Sequence, residues 1–262
     1  MREDFSQWLD DGNAIDGIYL SFKKAFNSVP HERLMTKSDS YRISGEILEW
    51  IKEFLQERSQ KVKVGNEFSS QAKVLSGIPQ GSILGPTLFT VFINDLPNCV
   101  KSTCKVFADD TKIYNIVSEK SLIEEDLTTI QERSELWTLY FNVSKCKVMH
   151  IGKRNPKVEY TMKLNDYEQK INTCDEEKDL GITFDKVLSF NLHIQNVINK
   201  ANRMIGLIKS TFTYLNKDMF IKLYEALARP HLEYDNISWY PCLKGNQWLL
   251  SKFREGKPLL WE

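Results

Sequence analysis

Apolar and polar positions along the chain sort into two periods. Period two is clearest at residues 105–114, Lys-Val-Phe-Ala-Asp-Asp-Thr-Lys-Ile-Tyr. Two short alternating apolar stretches flank Asp109 and Asp110, which predicts a β-hairpin with paired acids at its turn. Residues 60–64 and 71–75 read as strands around a turn near Gly65-Asn66. Ile18-Tyr-Leu20 reads as a short strand running into a helix-like stretch that ends near Pro30. Helical period follows elsewhere. Residues 43–55 carry Ile47, Leu48, Ile51, Phe54 and Leu55 on one stripe. Residues 121–137 carry Leu122, Ile123, Leu127, Ile130 and Leu136 on one side and Glu124, Glu125, Glu132 and Glu135 elsewhere, an amphipathic helix under a sheet. Residues 192–208 and 217–228 are further helical patterns. Such stripes predict core packing rather than a cofactor site. There is no internal repeat, and Asn155-Pro156 is the best hinge candidate.

Composition supports a substantial core: 262 residues, 42% hydrophobic and 11% aromatic. Length allows one or two domains. No long apolar run and no amino-terminal signal pattern stands out, so a soluble intracellular protein, cytoplasmic or nuclear, without a membrane partner is expected. Cys99, Cys104, Cys146, Cys174 and Cys242 form no C-x-x-C pair, which favours reduced thiols over a disulfide framework. Four dispersed histidines give no zinc spacing. Lysine plus arginine number 35, as do aspartate plus glutamate. That balance opposes strong binding to nucleic acid, which usually needs a basic excess. Three local clusters could still track phosphates: Arg58, Lys61 and Lys63; Lys145, Lys147, Lys153, Arg154 and Lys157; Lys200, Arg203 and Lys209. Each also fits an ordinary solvated face.

Adjacent Asp109 and Asp110 offer hard oxygen ligands suited to Mg²⁺ in phosphoryl transfer. An ordinary Asp-rich turn reads the same way. Residues 74–86, Val-Leu-Ser-Gly-Ile-Pro-Gln-Gly-Ser-Ile-Leu-Gly-Pro, hold three glycines and two prolines before the apolar residues 88–93. They predict a structured loop feeding a buried helix. Gly81 lets backbone approach a ligand, and Gln80 places an uncharged amide beside it.

Three segments in this order resemble the reverse transcriptase of non-LTR (LINE-type, Jockey-like) retrotransposons: Ser21-Phe-Lys-Lys-Ala-Phe-Asn-Ser-Val-Pro-His31, then Ser76 to Pro86, then Phe107-Ala-Asp-Asp-Thr-Lys112. The resemblance continues through Asn142-Val-Ser-Lys-Cys-Lys147, Leu180-Gly-Ile-Thr-Phe184 and Arg229-Pro-His-Leu-Glu-Tyr234. It implies an α+β fold, a reverse-transcriptase palm whose antiparallel sheet packs on helices, followed by a mainly helical thumb-like region. The implied division is a palm-like domain at 10–155, palm end and thumb-like region at 156–241, and a divergent tail at 242–262. The implied reaction is RNA-directed DNA synthesis with Mg²⁺, or Mn²⁺ as the alternative ion. Its partners are an RNA template, a DNA primer and deoxynucleoside triphosphates; oligomeric state stays open. Asp109 and Asp110 would bind metal, and the Phe22 carbonyl would face it. Phe26 would exclude a ribose 2′-hydroxyl, although a core aromatic reads the same. Gln80 and Gly81 would line the nucleotide and template pocket. Lys145 would neutralise or protonate the leaving pyrophosphate, with Lys147 nearby and a plain surface lysine as the alternative.

Two departures shape the expectation. Ser21 stands where the family has a metal-binding aspartate. If losing one carboxylate costs about 4 kcal/mol in the transition state, the rate falls on the order of 1,000-fold. Asp16 is a poor substitute, five residues away, on the opposite strand face and roughly 16 Å along. Asn27 also replaces a family aspartate, at a position read as structural. The short leader, residues 1–13, has no room for the family's fingers. The expectation is a degenerate copy with little or no activity; the alternatives are a working polymerase and a non-catalytic nucleic-acid-binding module.

Overall fold

The computed structural model describes residues 2–164 and 167–239; the expected tail at 242–262, with Cys242, lies outside the described residues. The chain folds as two compact units, Trp8–Cys174 and Met1–Gln7 with Asp175–Glu262.

After the opening helix α1 (Arg2–Asp10), β1 (Ile15–Ser21) forms the middle of a sheet. Five of its seven residues are buried and the other two, Tyr19 and Ser21, are half-buried, as a central strand covered on both faces requires. Two short helices, α2 (Ala25–Ser28) and α3 (His31–Ser40), follow. Helix α4 (Glu46–Leu55) begins later than the apolar stripe predicts, because Gly45 at φ 63° holds the chain outside helical geometry. The expected hairpin around Gly65-Asn66 is a broken ribbon: β2 (Ser59–Gln60) pairs with β5 (Ala72–Lys73), and β3 (Lys63–Val64) with β4 (Glu67–Phe68). The glycine-rich loop then feeds α5 (Leu84–Ile93), whose Leu88, Phe89, Phe92 and Ile93 are buried.

The paired acids do sit at a hairpin, between β6 (Thr103–Phe107) and β7 (Asp110–Ile116). Helix α6 (Lys120–Trp137) packs against β7. Ile123, Leu127 and Ile130 are buried as the stripe predicts. Leu136, assigned to the same stripe, is 66% exposed; one residue from the helix end the stripe has left the core. Strand β8 (Lys147–Ile151) completes the main sheet. The hairpin β9 (Thr161–Leu164) and β10 (Tyr167–Lys170) precedes β11 (Asn172–Thr173). The sheet order is β11-β8-β1-β7-β6. Every pairing is antiparallel except the edge strand β11, which runs parallel to β8. Ile18, Leu20, Phe89, Ile113, Ile130 and Val148 join one core between sheet and helices.

Within that core lies a cation. Lys37 Nζ hydrogen-bonds to the Phe92 carbonyl and to Asp95 Oδ1, 2.7 Å away, and sits 4.2 Å from the Trp137 ring centre. Arg133 also pairs with Asp95. Burial, then the Arg133 charge, lowers the Lys37 amine to about 7.

The second unit contains the hairpin β12 (Glu176–Asp179) and β13 (Ile182–Asp185). The long helix α7 (Asn191–Thr211) follows, buried along Ile194, Val197, Ile198, Ala201, Ile205 and Ile208. Helix α8 (Lys217–Leu223) runs into a π-helical turn at Tyr224–Ala228, then α9 (Arg229–Glu233) and α10 (Asn236–Trp239). The mainly helical end is therefore present, preceded by one hairpin. Among the described residues, no helix is long and apolar enough to cross a membrane.

Candidate nucleotidyl-transfer site

Asp109 lies in the two-residue turn between β6 and β7, and Asp110 is the first residue of β7. Both are exposed. The turn is tight: Ala108 takes φ 49°, a left-handed conformation costly for a residue with a Cβ. Across the ladder Asp110 is the direct partner of Ser21. Direct antiparallel partners project to the same sheet face. Ser21 and Asp110 therefore share a face, beside the turn that carries Asp109.

The next row on that face is cationic. Lys105 pairs with Lys112, Lys112 with Tyr19, and Tyr19 with Lys147. Period-two geometry places this row one step behind Asp110 and Ser21. Sequence reasoning left Lys105 and Lys112 without a role. The signal was available in the alternation Lys105–Phe107 and Asp110–Lys112, once the hairpin register is known.

On the other side of β1, the Ser21 carbonyl accepts from the Asn142 amide at 2.7 Å. Phe22 bridges to Phe141, and their rings stack 4.4 Å apart. Lys145 ends a 3-10 turn, Val143–Lys145, just before β8, and is exposed. Ser21, Asp109, Asp110, Phe22 and Lys145 thus cluster at one end of β1, β7 and β8. Cys146 is buried there; burial raises its thiol, and a hydrogen bond with Ser21 backbone opposes the shift.

The loop motif is stitched to the first motif. The Gly77 amide donates to the Val29 carbonyl at 2.8 Å, and the Ile78 amide to Phe26 at 2.7 Å. Ser76 Oγ donates to the Asn27 carbonyl at 3.2 Å, and His31 Nε2 meets the Gly77 carbonyl at 2.9 Å. Gly77 has no alternative: φ is 93°, and a Cβ would stand 2.7 Å from Asn27 Cα. Asn27 contributes its backbone here, in line with a structural position. Phe26 is half-buried, its ring stacked 4.5 Å from Phe89. Gln80 and Gly81 are exposed; Gly81 takes φ 84°, with open space where a Cβ would be.

Asp16 occupies a different environment. It is fully buried, with His150 Nδ1 2.6 Å from Oδ1. The Tyr160 hydroxyl donates to Oδ2 at 2.8 Å, and Asn155 Nδ2 to Oδ1 at 2.9 Å. Burial first, then the Asp16 charge, pushes the Tyr160 phenol upward. Asn155, read from sequence as a hinge, also donates to the Ile15 carbonyl at 3.0 Å. It fastens the chain to β1 rather than freeing it.

Among the described residues, no group of three or more His, Cys, Asp or Glu side chains could hold a metal ion. Two adjacent carboxylates still match what one Mg²⁺ takes from a protein when phosphates and water complete its shell.

An α+β sheet carries adjacent acids at a hairpin, and a glycine-rich loop is laced to the segment Phe26–His31 that follows its central strand. The family described as reverse transcriptase (RNA-dependent DNA polymerase) matches residues 13–184, and the chain belongs to that family. The resemblance to non-LTR retrotransposon polymerases is borne out by individual relatives. The RNA-directed DNA polymerase from mobile element jockey of Drosophila melanogaster is 30% identical over 237 residues, 83% of this chain and 25% of that protein. The probable polymerase from transposon BS of the same organism is 28% identical over 205 residues, 72% of this chain and 22% of the relative. The chain spans about a quarter of the length of these relatives. Among solved structures, an apo telomerase from Candida tropicalis superposes with a TM-score of 0.49 at 11% identity, covering 71% of this chain and 37% of the other.

Proposed function

We propose that the chain carries the palm of an RNA-directed DNA polymerase, at 10–155, with palm end and thumb-like region at 156–241, and that Ser21 strongly reduces its nucleotidyl transfer. The observation that supports this best is the Ser21–Asp110 register. It sets Ser21 directly opposite the second acid, and the resemblance implies that position 21 is where the family carries its third carboxylate.

The reaction joins a primer 3′-hydroxyl to the α-phosphate of a deoxynucleoside triphosphate and releases pyrophosphate. RNA template, DNA primer and nucleotide are the partners. Asp109 and Asp110 would hold Mg²⁺ or Mn²⁺, with the Phe22 carbonyl facing it. A bound divalent ion would neutralise phosphate charge and polarise the P–O bonds. Two carboxylates suit one such ion; a second lacks the negative ligand needed to offset repulsion between the two. Gln80 and Gly81 line the pocket for nucleotide and template. Phe26, pinned by Phe89, presents a fixed ring against a ribose 2′-hydroxyl. Lys145, with Lys147 in the neighbouring row, counters charge on the departing pyrophosphate.

Mg²⁺-dependent primer extension on an RNA template tests the reading, with Asp109→Ala as the blank. Ser21→Asp should extend on the order of 1,000-fold faster than the unaltered chain. Extension by the unaltered chain within about tenfold of that variant would mean two aspartates suffice and the enzyme is active. Silence from Ser21→Asp would remove Ser21 as the cause.

A further inference from the structure

Residues 58–73 form an exposed ribbon of the Trp8–Cys174 unit, and the proposed site does not use them. Every residue from Ser59 to Lys73 is exposed. Val62, Val64 and Phe68 are 62%, 74% and 62% exposed. The alternation Lys61-Val62-Lys63-Val64 therefore has no buried face to explain it. Four cations, Arg58, Lys61, Lys63 and Lys73, stand against one acid, Glu67. This asymmetry occurs in a chain whose formal net charge is zero.

The geometry organises these charges. Lys63 and Phe68 are direct cross-strand partners, and the Lys63 ammonium lies 5.4 Å from the ring centre. Lys61, two residues earlier, falls on the same side by strand period. Ser59 and Lys73 are partners at the ribbon's base. Two residues separate the ladders on the outgoing strand and three on the return, a one-residue bulge that adds twist. At the root, Arg58 Nη1 is buried without a hydrogen-bond partner. The Val74 amide donates to the Arg58 carbonyl at 2.9 Å. Two residues on, Ser76 begins the loop laced to Asn27 and Val29.

We infer that this ribbon is a contact arm for single-stranded nucleic acid: Lys61, Lys63 and Lys73 track phosphates, and Phe68 offers a face for a base. The inference rests on the polymerase reading for the identity of the strand, the template. Its chemistry stands on the ribbon alone. Single strands are held by cations along the backbone and by aromatic faces that stack bases without regard to sequence. A protein partner fits less well. Protein interface centres are depleted in lysine, and lysines on a strand edge oppose the addition of another strand.

The test uses the full chain and a fluorescein-labelled RNA of about 20 nucleotides, followed by anisotropy across a KCl series. Lys61→Gln with Lys63→Gln should lower the slope of log affinity against log salt by about 1.4, and Lys73→Gln alone by about 0.7. Phe68→Ala should weaken binding about tenfold with the slope unchanged. Circular dichroism melts of these exposed-site variants should match the unaltered chain. An unchanged slope in both lysine variants overturns the inference. So does self-association in sedimentation that Phe68→Ala abolishes while RNA affinity stays constant, which would make the ribbon a protein-docking edge. Because binding is read apart from extension, the two readings fail separately. A chain silent even as Ser21→Asp, yet salt-sensitive through Lys61 and Lys63, loses the polymerase and keeps the arm.

Discussion

The two ends of β1 treat carboxylates in opposite ways. At its start, Asp16 is fully buried and accepts from Tyr160 and Asn155 while facing His150. At its finish, Ser21 faces Asp110 beside Asp109, and both acids are exposed. A buried charge is tolerable only when partners replace the water it has lost. Asp16 therefore serves the fold, and its oxygens are committed. The exposed pair keeps the hydration and access that a ligand site needs. The same residue type thus does structural work at one end of a strand and is suited to chemistry at the other.

The largest effect expected from this contrast is on stability. Asp16→Ala leaves the Tyr160 hydroxyl, an Asn155 amide hydrogen and His150 Nδ1 without their carboxylate. Breaking a buried pair in this way costs about 3–5 kcal/mol. Urea unfolding measures it, and a loss below about 1 kcal/mol would show that the network does not hold the sheet. Gly77→Ala ranks next. It strains a residue at φ 93° and drives a methyl into Asn27 backbone, for about 2 kcal/mol. A near-neutral Gly77→Ala would mean that the loop is not fastened to Asn27 and Val29 as tightly as these contacts indicate.

The exposed end of this contrast was legible in the sequence and the buried end was not. The Asp109–Asp110 hairpin announces itself because alternation and turn are local. The Asp16 network is built from residues 134 to 144 positions away, with no local pattern. Asn155, beside a proline, looks like a hinge until its side chain is seen holding β1. Lys37 is equally silent, since Asp95 and Trp137 reach it only through tertiary packing. Stripe counting succeeds along α6 while the helix lies on the sheet and fails at Leu136 near its end. The cationic row of Lys105, Lys112 and Lys147 needed register, which no single strand reveals.

The smallest effect is the sharpest test of the exposed end. Ser21→Asp places a carboxylate directly across the ladder from Asp110. Like charges at opposed positions destabilise a sheet pair by roughly 0.2–1 kcal/mol. Without divalent ion the variant should melt a few degrees below the unaltered chain. A bound Mg²⁺ stabilises the folded state according to its concentration relative to Kd. With three carboxylates that gain should exceed the gain in the unaltered chain, so the melting difference should shrink or reverse as MgCl₂ rises. A variant that melts lower at every Mg²⁺ concentration, by a constant amount, would show that position 21 does not complete a metal site. Serine would then have replaced aspartate at no cost to binding, and the contrast between the two ends of β1 would reduce to burial alone.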